Sequence, residues 1–377
     1  LNRKGRLSKR KGNTLFAQDL SDTKWTGIGR FTPTATNDFM MVASGGTVLR
    51  STSAASWVVV NPASSISVTA NKEFIQADKL LFIYDGVNFP SYYDGTTYRE
   101  GEDNIASSPI AKYAAWFKNF LFVTNGVIEK DWVWFSNNLE PLVFTVTDVF
   151  KVNTGDGQEV LALNPFKNNE MIIYKERSVW LLDITGTTPL VDWSLQPIIE
   201  DIGLIAPRTV SMVGNDQWFL SSEPIGIRSL VRTNLDKIKT SLISQPIQDI
   251  FDGTGDSNLV INKTTIDKAA AIFFDNKYIL SYSAGTSTVN NAVLVFDAIP
   301  NAWYLITGWF VEDWVIFDNN LYFIDSTDGR VLRAFNGNND QASGPIVTNT
   351  AASGPTIRGV NFHLESKSFD FESPELF

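Results

Sequence analysis

The sequence predicts an all-β fold, a β-propeller of about seven blades. An apolar run, a two-residue polar turn and a second apolar run recur at residues 117–123, 274–280 and 317–323. Units built this way return roughly every 35–50 residues, which is the repeat length of propeller blades. The central strands are apolar on both faces, whereas the strands of a β-sandwich would alternate because one face meets water. Seven units can be counted, at 37–60, 67–100, 112–145, 159–197, 204–234, 266–307 and 310–336.

The first three units consist of short strands separated by turn residues. Gly45-Gly46, Asp85-Gly86, Asp94-Gly95 and Asn125-Gly126 favour turns, because glycine and asparagine accept a positive φ and Asp-Gly is a strong hairpin signal. The strands predicted around these turns are 39–43, 47–51 and 56–60, then 79–84, 90–93 and 97–98, then 114–117, 120–124 and 131–136.

The other four units repeat this pattern with one interruption. Residues 234–254 contain apolar side chains that fit a helical spacing, so a short helix or an ordered loop is expected there. The predicted strands are 159–163, 170–174, 179–184 and 193–197; 209–213, 217–221 and 227–232; 268–274, 277–283, 292–297 and 302–307; and 313–317, 321–325 and 330–335.

Composition indicates a folded protein and restricts its chemistry. The chain has 377 residues, of which 44% are hydrophobic and 12% aromatic, enough for a large core. Because cysteine is absent, disulfides and thiolate metal sites are excluded. No run approaches the ~20 apolar residues of a membrane-spanning helix, and no signal-peptide pattern is found.

The net charge of −10 is unevenly distributed. Residues 1–12 hold six basic residues and no acidic one, so removing these six from 31 leaves 25 basic against 41 acidic residues, a balance of −16. This arm is expected either to be a solvated terminus or to dock on an acidic neighbour or nucleic acid, and another copy of the acidic body is the simplest partner. Its basic residues are Arg3, Lys4, Arg6, Lys9, Arg10 and Lys11.

The chain divides into three predicted parts. Residues 1–30 form an extended basic arm, 31–336 the propeller, and 337–377 a linker rich in Asn, Gly, Ser and Ala followed by the start of additional β structure. The chain begins with Leu1 and stops at Phe377 in a strand-like pattern, so the natural polypeptide is expected to be longer at one or both ends.

The residue types that are catalytic in known enzymes are either scarce in this sequence or lie in predicted turns. The single histidine, His363, lies beyond the propeller, so a Ser-His-Asp triad and a histidine metal centre are both disfavoured. A glycosidase would need two acids flanking a sugar. The candidate acids sit where turn chemistry alone explains them. These acids are Asp85, Asp94, Asp275, Asp318 and Asp328.

Two further features of the sequence are candidate binding sites. Residues 252–256, D-G-T-G-D, could hold a cation loosely but lack the longer ligand pattern of a calcium loop. No cofactor is therefore predicted. Tryptophans inside apolar runs could bind sugars but favour a place in the blade core; they are Trp57, Trp132, Trp134, Trp180, Trp218, Trp303 and Trp314.

Several stretches carry a family resemblance. They are D-I-G at 201–203, A-P-R-T-V at 206–210, W-F-L-S at 218–221, G-I-R-S-L at 226–230, W-T-G-I-G-R-F at 25–31, G-G-T-V-L-R at 45–50, S-W-V-V-V at 56–60, F-K-N-F-L-F-V-T-N at 117–125 and W-F-S-N-N-L-E-P at 134–141. Together they resemble the propeller of bacteriophage tail proteins, namely the nozzle (tail tubular protein B-like) and stabilisation proteins of short-tailed phages. The resemblance covers most of residues 1–340 and rests on diffuse strand-and-turn patterns.

The resemblance implies a structural virion protein with no catalytic residues and no cofactor. Such proteins are assembled in the host cytoplasm as a ring, commonly six-fold, around the DNA exit channel below the portal and adaptor. Genomic DNA would pass through without specific binding, and the six arm residues would contact a neighbouring subunit. The family usually continues into more β structure after a segment like S-K-S-F-D-F-E-S-P at 366–374. The alternative from the residues alone is a secreted propeller that binds or cleaves glycans.

Overall fold

Seven four-stranded antiparallel sheets follow one another along the chain, so the fold is the seven-bladed β-propeller that the repeat predicts. The computed structural model describes residues 10–18, 24–51, 57–61, 66–101, 105, 107–186, 188–232, 238–341 and 357–359. Contacts between the innermost strands run from blade to blade, and the innermost strand of blade seven touches that of blade one. The sheets therefore form a closed ring around an axis.

The strand bounds agree with the predicted units in blades two and six, and to within two residues in blade four, whereas blades one, three, five and seven each include a strand that lies outside or runs beyond its unit. Strand β1 is Thr14–Gln18. Blade one is β2 (Trp25–Thr34), β3 (Asn37–Ser44), β4 (Thr47–Ser51) and β5 (Val58–Val59). Blade two is β6 (Glu73–Ala77), β7 (Leu80–Tyr84), β8 (Ser91–Tyr93) and β9 (Tyr98–Arg99). Blade three is β10 (Tyr113–Phe117), β11 (Phe120–Thr124), β12 (Trp132–Asn137) and β13 (Glu140–Lys151).

The remaining blades follow in the same order. Blade four is β14 (Val160–Lys167), β15 (Glu170–Lys175), β16 (Val179–Asp183) and β17 (Ser194–Ile199). Blade five is β18 (Ser211–Val213), β19 (Asp216–Ser222), β20 (Ile225–Arg232) and β21 (Ile238–Leu242). Blade six is β22 (Ala270–Phe274), β23 (Lys277–Tyr282), β24 (Ala292–Asp297) and β25 (Ala302–Thr307). Blade seven is β26 (Val311–Phe317), β27 (Asn320–Asp325), β28 (Arg330–Arg333) and the distant β1. A two-stranded ribbon of β29 (Asn339–Gln341) and β30 (Ile357–Gly359) follows.

The predicted arm at 1–30 differs from the structure. Strand β1 pairs antiparallel with β28 and supplies the outer strand of blade seven, so the propeller is closed by its own N-terminal segment. Strand β2 is the innermost strand of blade one. The prediction failed here because the run T-L-F-A-Q is too short to show the alternation of apolar and polar residues that marks a strand. Its pairing partner, β28, lies some 300 residues further along the chain.

The predicted helical stretch at 234–254 divides into two elements. Strand β21 covers Ile238–Leu242, whose burial alternates residue by residue as in a sheet. One short helix, α1, covers Gln248–Asp252 and buries Phe251. In the part of the chain that the structure describes, no helix is long and apolar enough to cross a membrane.

The core consists of apolar clusters between neighbouring blades. Phe122 and Phe135 of blade three, for example, pack with Ile173 of blade four. Trp134, Trp218 and Trp314 are buried, which confirms their expected place in the core. The partly buried tryptophans pack against the same clusters; they are Trp57, Trp132, Trp180 and Trp303.

Candidate functional site

An open funnel lies at one end of the propeller axis, where the innermost strands begin. Its volume is about 960 Å³. Lys72, Lys112, Arg208 and Lys268 come from the connections that precede innermost strands. Glu176 and Glu223 come from loops inside blades four and five.

The funnel wall is charged and asymmetric. Its lysines belong to the connections that enter blades two, three and six; they are Lys72, Lys112 and Lys268. Four of its acids lie on the side of blades four and five, together with Arg177; they are Glu176, Glu200, Asp201 and Glu223. Two more, Glu73 and Asp267, lie on the same side as the lysines. The wall therefore offers both signs of charge to whatever enters.

Arg208 lies at the floor of the funnel, where it lines both the funnel and the smaller space below it. Its guanidinium lies 3.2 Å from a carboxylate oxygen of Glu312 and 3.6 Å from one of Asp313, and it donates to the carbonyl oxygen of Lys268. Lys24 also pairs with Glu312 at 2.9 Å. Burial opposes ionisation of Glu312, but Arg208 and Lys24 outweigh it and hold its pKa below the ordinary value. The strands of blades seven and one are thereby tied to the connection entering blade five.

Glu73 lies beside this ion pair without a hydrogen bond to its carboxyl group from the described residues. Burial raises the pKa of Glu73 to about 8; nearby Asp313 adds to the rise and Arg208 opposes it. The group is therefore protonated at neutral pH. Tyr113 lines the same space, and burial raises its pKa as well.

The axis below the floor is narrow. The space there is about 250 Å³ and is lined by innermost-strand residues such as Phe74, Leu163 and Trp314. A volume of this size has room for roughly eight water molecules at about 30 Å³ each. Duplex DNA cannot pass along the axis of a single propeller.

Replacing Glu73 with glutamine is expected to remove part of the pH dependence of stability. An acid whose pKa rises from 4.5 to about 8 on folding takes up a proton, so the free energy of unfolding falls as pH rises through this interval. Glu73→Gln is neutral throughout, so its stability relative to wild type should increase steadily between pH 5 and pH 8. Urea unfolding at several pH values measures this, with Glu176→Gln as the exposed control. A constant difference between Glu73→Gln and wild type would contradict the assignment.

The predicted arm residues are only partly described. Arg10 donates two hydrogen bonds to the carboxylate of Asp340, at 2.9 and 2.6 Å, and lies over the ring of Trp309. The indole of Trp309 donates to the same carboxylate at 2.8 Å. Arg10 is thus engaged within its own chain, while Lys11 is exposed. The other four, Arg3, Lys4, Arg6 and Lys9, lie outside the described residues.

The candidate acids occupy turns, as the sequence predicts. Asp85 accepts backbone N–H groups of Val87, Asn88 and Ser67; burial opposes them, but these bonds hold its pKa below the ordinary value. Asp94 likewise accepts two backbone N–H groups of its own turn. Asp328 pairs with Arg330.

In the D-G-T-G-D stretch, each of the two aspartates accepts hydrogen bonds from a residue two positions further along its own turn. Asp252 accepts from Thr254, and Asp256 accepts from Asn258. Within the described ranges, no three His, Cys, Asp or Glu side chains are grouped in a way that could hold a metal ion. His363 lies outside those ranges.

The chain is by its structure a seven-bladed β-propeller. No protein-family model matches it, and no curated protein matches it. Its fold is similar to a streptogramin B lyase, with a TM-score of 0.55 and 10% identity over 86% of this chain and 98% of that one. It is also similar to BamB from Moraxella catarrhalis, with a TM-score of 0.50 and 9% identity over 86% and 89% of the two chains.

A third similar structure is PorZ, a surface component of the type-IX secretion system of Porphyromonas gingivalis. The TM-score is 0.51, with 12% identity over 88% of this chain and 39% of that one. At these identities the likeness shows the fold alone. None of the three is a phage tail protein, so the function has to be argued from the residues.

Proposed function

We propose that the chain is a structural protein of a bacteriophage tail, a nozzle-like subunit of the head-tail connector region that forms an oligomeric ring around the DNA exit channel. The proposal starts from the resemblance of residues 25–60, 117–141 and 201–230 to such tail proteins. In this role the protein is not an enzyme. Its partners are copies of itself, commonly six in a ring, and the portal, adaptor and other tail proteins. Its location is the virion, after assembly in the host cytoplasm.

The observation that carries the proposal is an apolar patch at the funnel end of blades two and three. The side chains belong to the connection into blade two and to one loop in each of blades two and three. Ile128 is 82% exposed and Val127 59% exposed. Exposed apolar side chains gathered on one end of a protein mark a contact with another macromolecule. The funnel-end apolar patch consists of Val68, Val87, Phe89, Val127 and Ile128.

The side chains on the propeller axis support the same proposal. Since Arg208 and its acidic partners lie on this axis, a DNA channel requires a space between several copies. The net charge of −10 suits the wall of such a channel, because a negative surface does not hold a phosphate backbone. DNA therefore passes without specific binding.

Replacing Ile128 with glutamate is expected to break up the ring. A charge within an apolar contact loses its water without gaining a partner, which costs several kcal/mol at each interface. The native mass of the purified protein should fall from a single oligomer to the monomer. Ile299→Glu changes an equally apolar, half-exposed residue in the turn between β24 and β25, outside the patch, and should leave the oligomer intact.

Two results would count against this function. If wild type and Ile128→Glu have the same native mass, the patch is not the subunit contact. If the wild-type chain is a monomer at every concentration, the ring itself is refuted.

A further inference from the structure

A second cavity lies between blades three and four, at the end opposite the funnel. Its volume is about 590 Å³, within the usual range of small-ligand sites. Blade three contributes the turns at Lys118 and Asn137–Asn138, and blade four contributes Asn169 and the segment around Pro189. We call this cavity the interblade groove. It is separate from the funnel and independent of the proposed ring.

The floor of the interblade groove is an aromatic cluster. The ring of Trp193 meets Phe120 edge-on, with centroids 4.9 Å apart, and Phe135 at 5.2 Å. Phe150 stacks on Trp193 at 6.1 Å. Trp193, Phe120 and Phe135 all line the groove. The rings fix one another, so the floor is rigid.

Trp193 carries an unused hydrogen-bond donor. The side chain is only 6% exposed, and its indole Nε1–H is buried without an acceptor among the described residues. A buried donor without an acceptor destabilises the state that contains it. An acceptor oxygen on a ligand would remove this cost.

The polar side chains of the groove are mainly neutral amides. Asn137, Asn138 and Asn169 each carry donor and acceptor groups. One side-chain N–H of Asn137 already donates to Glu140. One of Asn169 donates to Thr185, which leaves the second N–H and the side-chain carbonyl oxygen of both amides without a partner among the described residues and so open to a ligand. The charged side chains in the lining, Lys118 and Asp148, balance each other. The groove thus favours a neutral ligand rich in groups that both donate and accept hydrogen bonds.

An irregularity in the outer strand of blade three brings Asp148 to the groove. Phe144 pairs with Ser136 and Val149 with Trp134, so the four residues between Phe144 and Val149 form a bulge. Bulges redirect side chains and are over-represented next to functional sites. Asp148 is in this bulge and lines the groove.

We propose that the interblade groove binds a neutral saccharide. Its hydroxyl groups match the three amides and the orphaned indole N–H at the edge of the buried aromatic cluster. A hydroxyl oxygen accepts from the indole of Trp193. Asn169 and Asn138, on the two walls, hold further hydroxyl groups.

The test is ligand-detected NMR and calorimetric titration of the whole chain with three neutral probes: lactose, maltotriose and diacetylchitobiose. At least one probe should bind, and Trp193→Phe, which keeps an aromatic ring but removes the N–H, should weaken it about tenfold. Asn169→Ala should have a similar effect. Trp303→Phe and Asn258→Ala, which lie outside the groove, should bind like wild type.

Three outcomes would overturn the proposal. The first is no binding of any probe at about 10 mM, a concentration that detects even weak sites. The second is binding that persists unchanged in both Trp193→Phe and Asn169→Ala. The third is binding of neutral peptides in the groove with no saccharide bound. Because a monomer and a ring both contain the groove, none of these results depends on the oligomeric state.

Discussion

Replacing Lys175 with alanine is expected to lower the free energy of unfolding by about 3–5 kcal/mol. The Lys175 side chain is fully buried at the end of β15. Its Nζ donates to both carboxylate oxygens of Asp156, at 2.8 and 2.7 Å, and to the carbonyl oxygen of Val152 at 2.7 Å. These bonds tie blade four to the connection from blade three. Without the lysine, the carbonyl oxygen of Val152 loses this donor. Among the described residues, the carboxylate of Asp156 then keeps only the donors of Asn153 and Gln158.

Chemical denaturation measures this loss, and Lys130→Ala is the matched control. Lys130 pairs with Glu159 near the same connection, but the two side chains are 50% and 30% exposed. An exposed pair of this kind contributes under about 1 kcal/mol. Equal losses in the two variants would contradict the buried role of Lys175. Lys175→Met, which fills the space without charge, should recover part of the stability.

The contribution of the Lys175–Asp156 ion pair to the free energy of unfolding should also depend on pH. Burial of Asp156 opposes its ionisation, but the hydrogen bond from Lys175 and the other donors hold its pKa below the ordinary value of 3.8. A lowered carboxyl pKa stabilises the fold above the unfolded pKa and loses that effect as pH falls through the folded one. The difference between wild type and Lys175→Ala should therefore shrink below about pH 4.

Removing residues 1–18 is expected to cost at least about 4 kcal/mol, whereas removing residues 1–9 should cost little. The longer deletion removes β1 and with it the outer strand of blade seven. It also removes Phe16, whose ring meets Tyr322 at 4.8 Å, and the buried Ala17. The Arg10–Asp340 ion pair is lost as well.

Thermal and urea unfolding of the two truncated chains tests the closing role of β1. The shorter deletion keeps Arg10, the backbone bonds of Gly12 to Gly337 and Asn336, and the whole of β1. It is therefore the matched control, because it removes basic residues without opening the ring of blades. If both truncated chains unfold at the same midpoint, β1 does not close the propeller.

The hairpins of the blades could be predicted because their signals are local. F-K-N-F, F-D-N-K and F-D-N-N each place two polar residues between apolar runs. In the structure both central residues of each turn have positive φ, from 45° at Asp318 to 65° at Asn119. These are the dihedral angles of the two-residue turns that match the twist of a hairpin. The number of blades could therefore be predicted from the turn residues and the apolar runs on either side of them.

Features that depend on distant residues could not be predicted. The T-V-S-M-V run predicts a strand from Thr209, but Pro207–Thr209 forms a short 3-10 helix and β18 begins at Ser211. This turn holds Arg208 over the axis, where it meets Glu312. Nothing in the local sequence around Pro207 and Arg208 indicates that the arginine bonds to a glutamate 104 residues further along the chain. The interblade groove escaped prediction for the same reason, because Phe120 and Trp193 come together only through blade packing.

Electron cryomicroscopy of the purified chain would show directly whether copies of this propeller form a closed ring whose lumen lies between them. We expect such a ring because Arg208 and its acidic partners lie on the axis of each copy. The expected result is a ring of uniform size, with the funnel-end apolar patch at the contacts and a central opening wide enough for duplex DNA. Particles that are single propellers, or open filaments without a lumen, would contradict the proposed function.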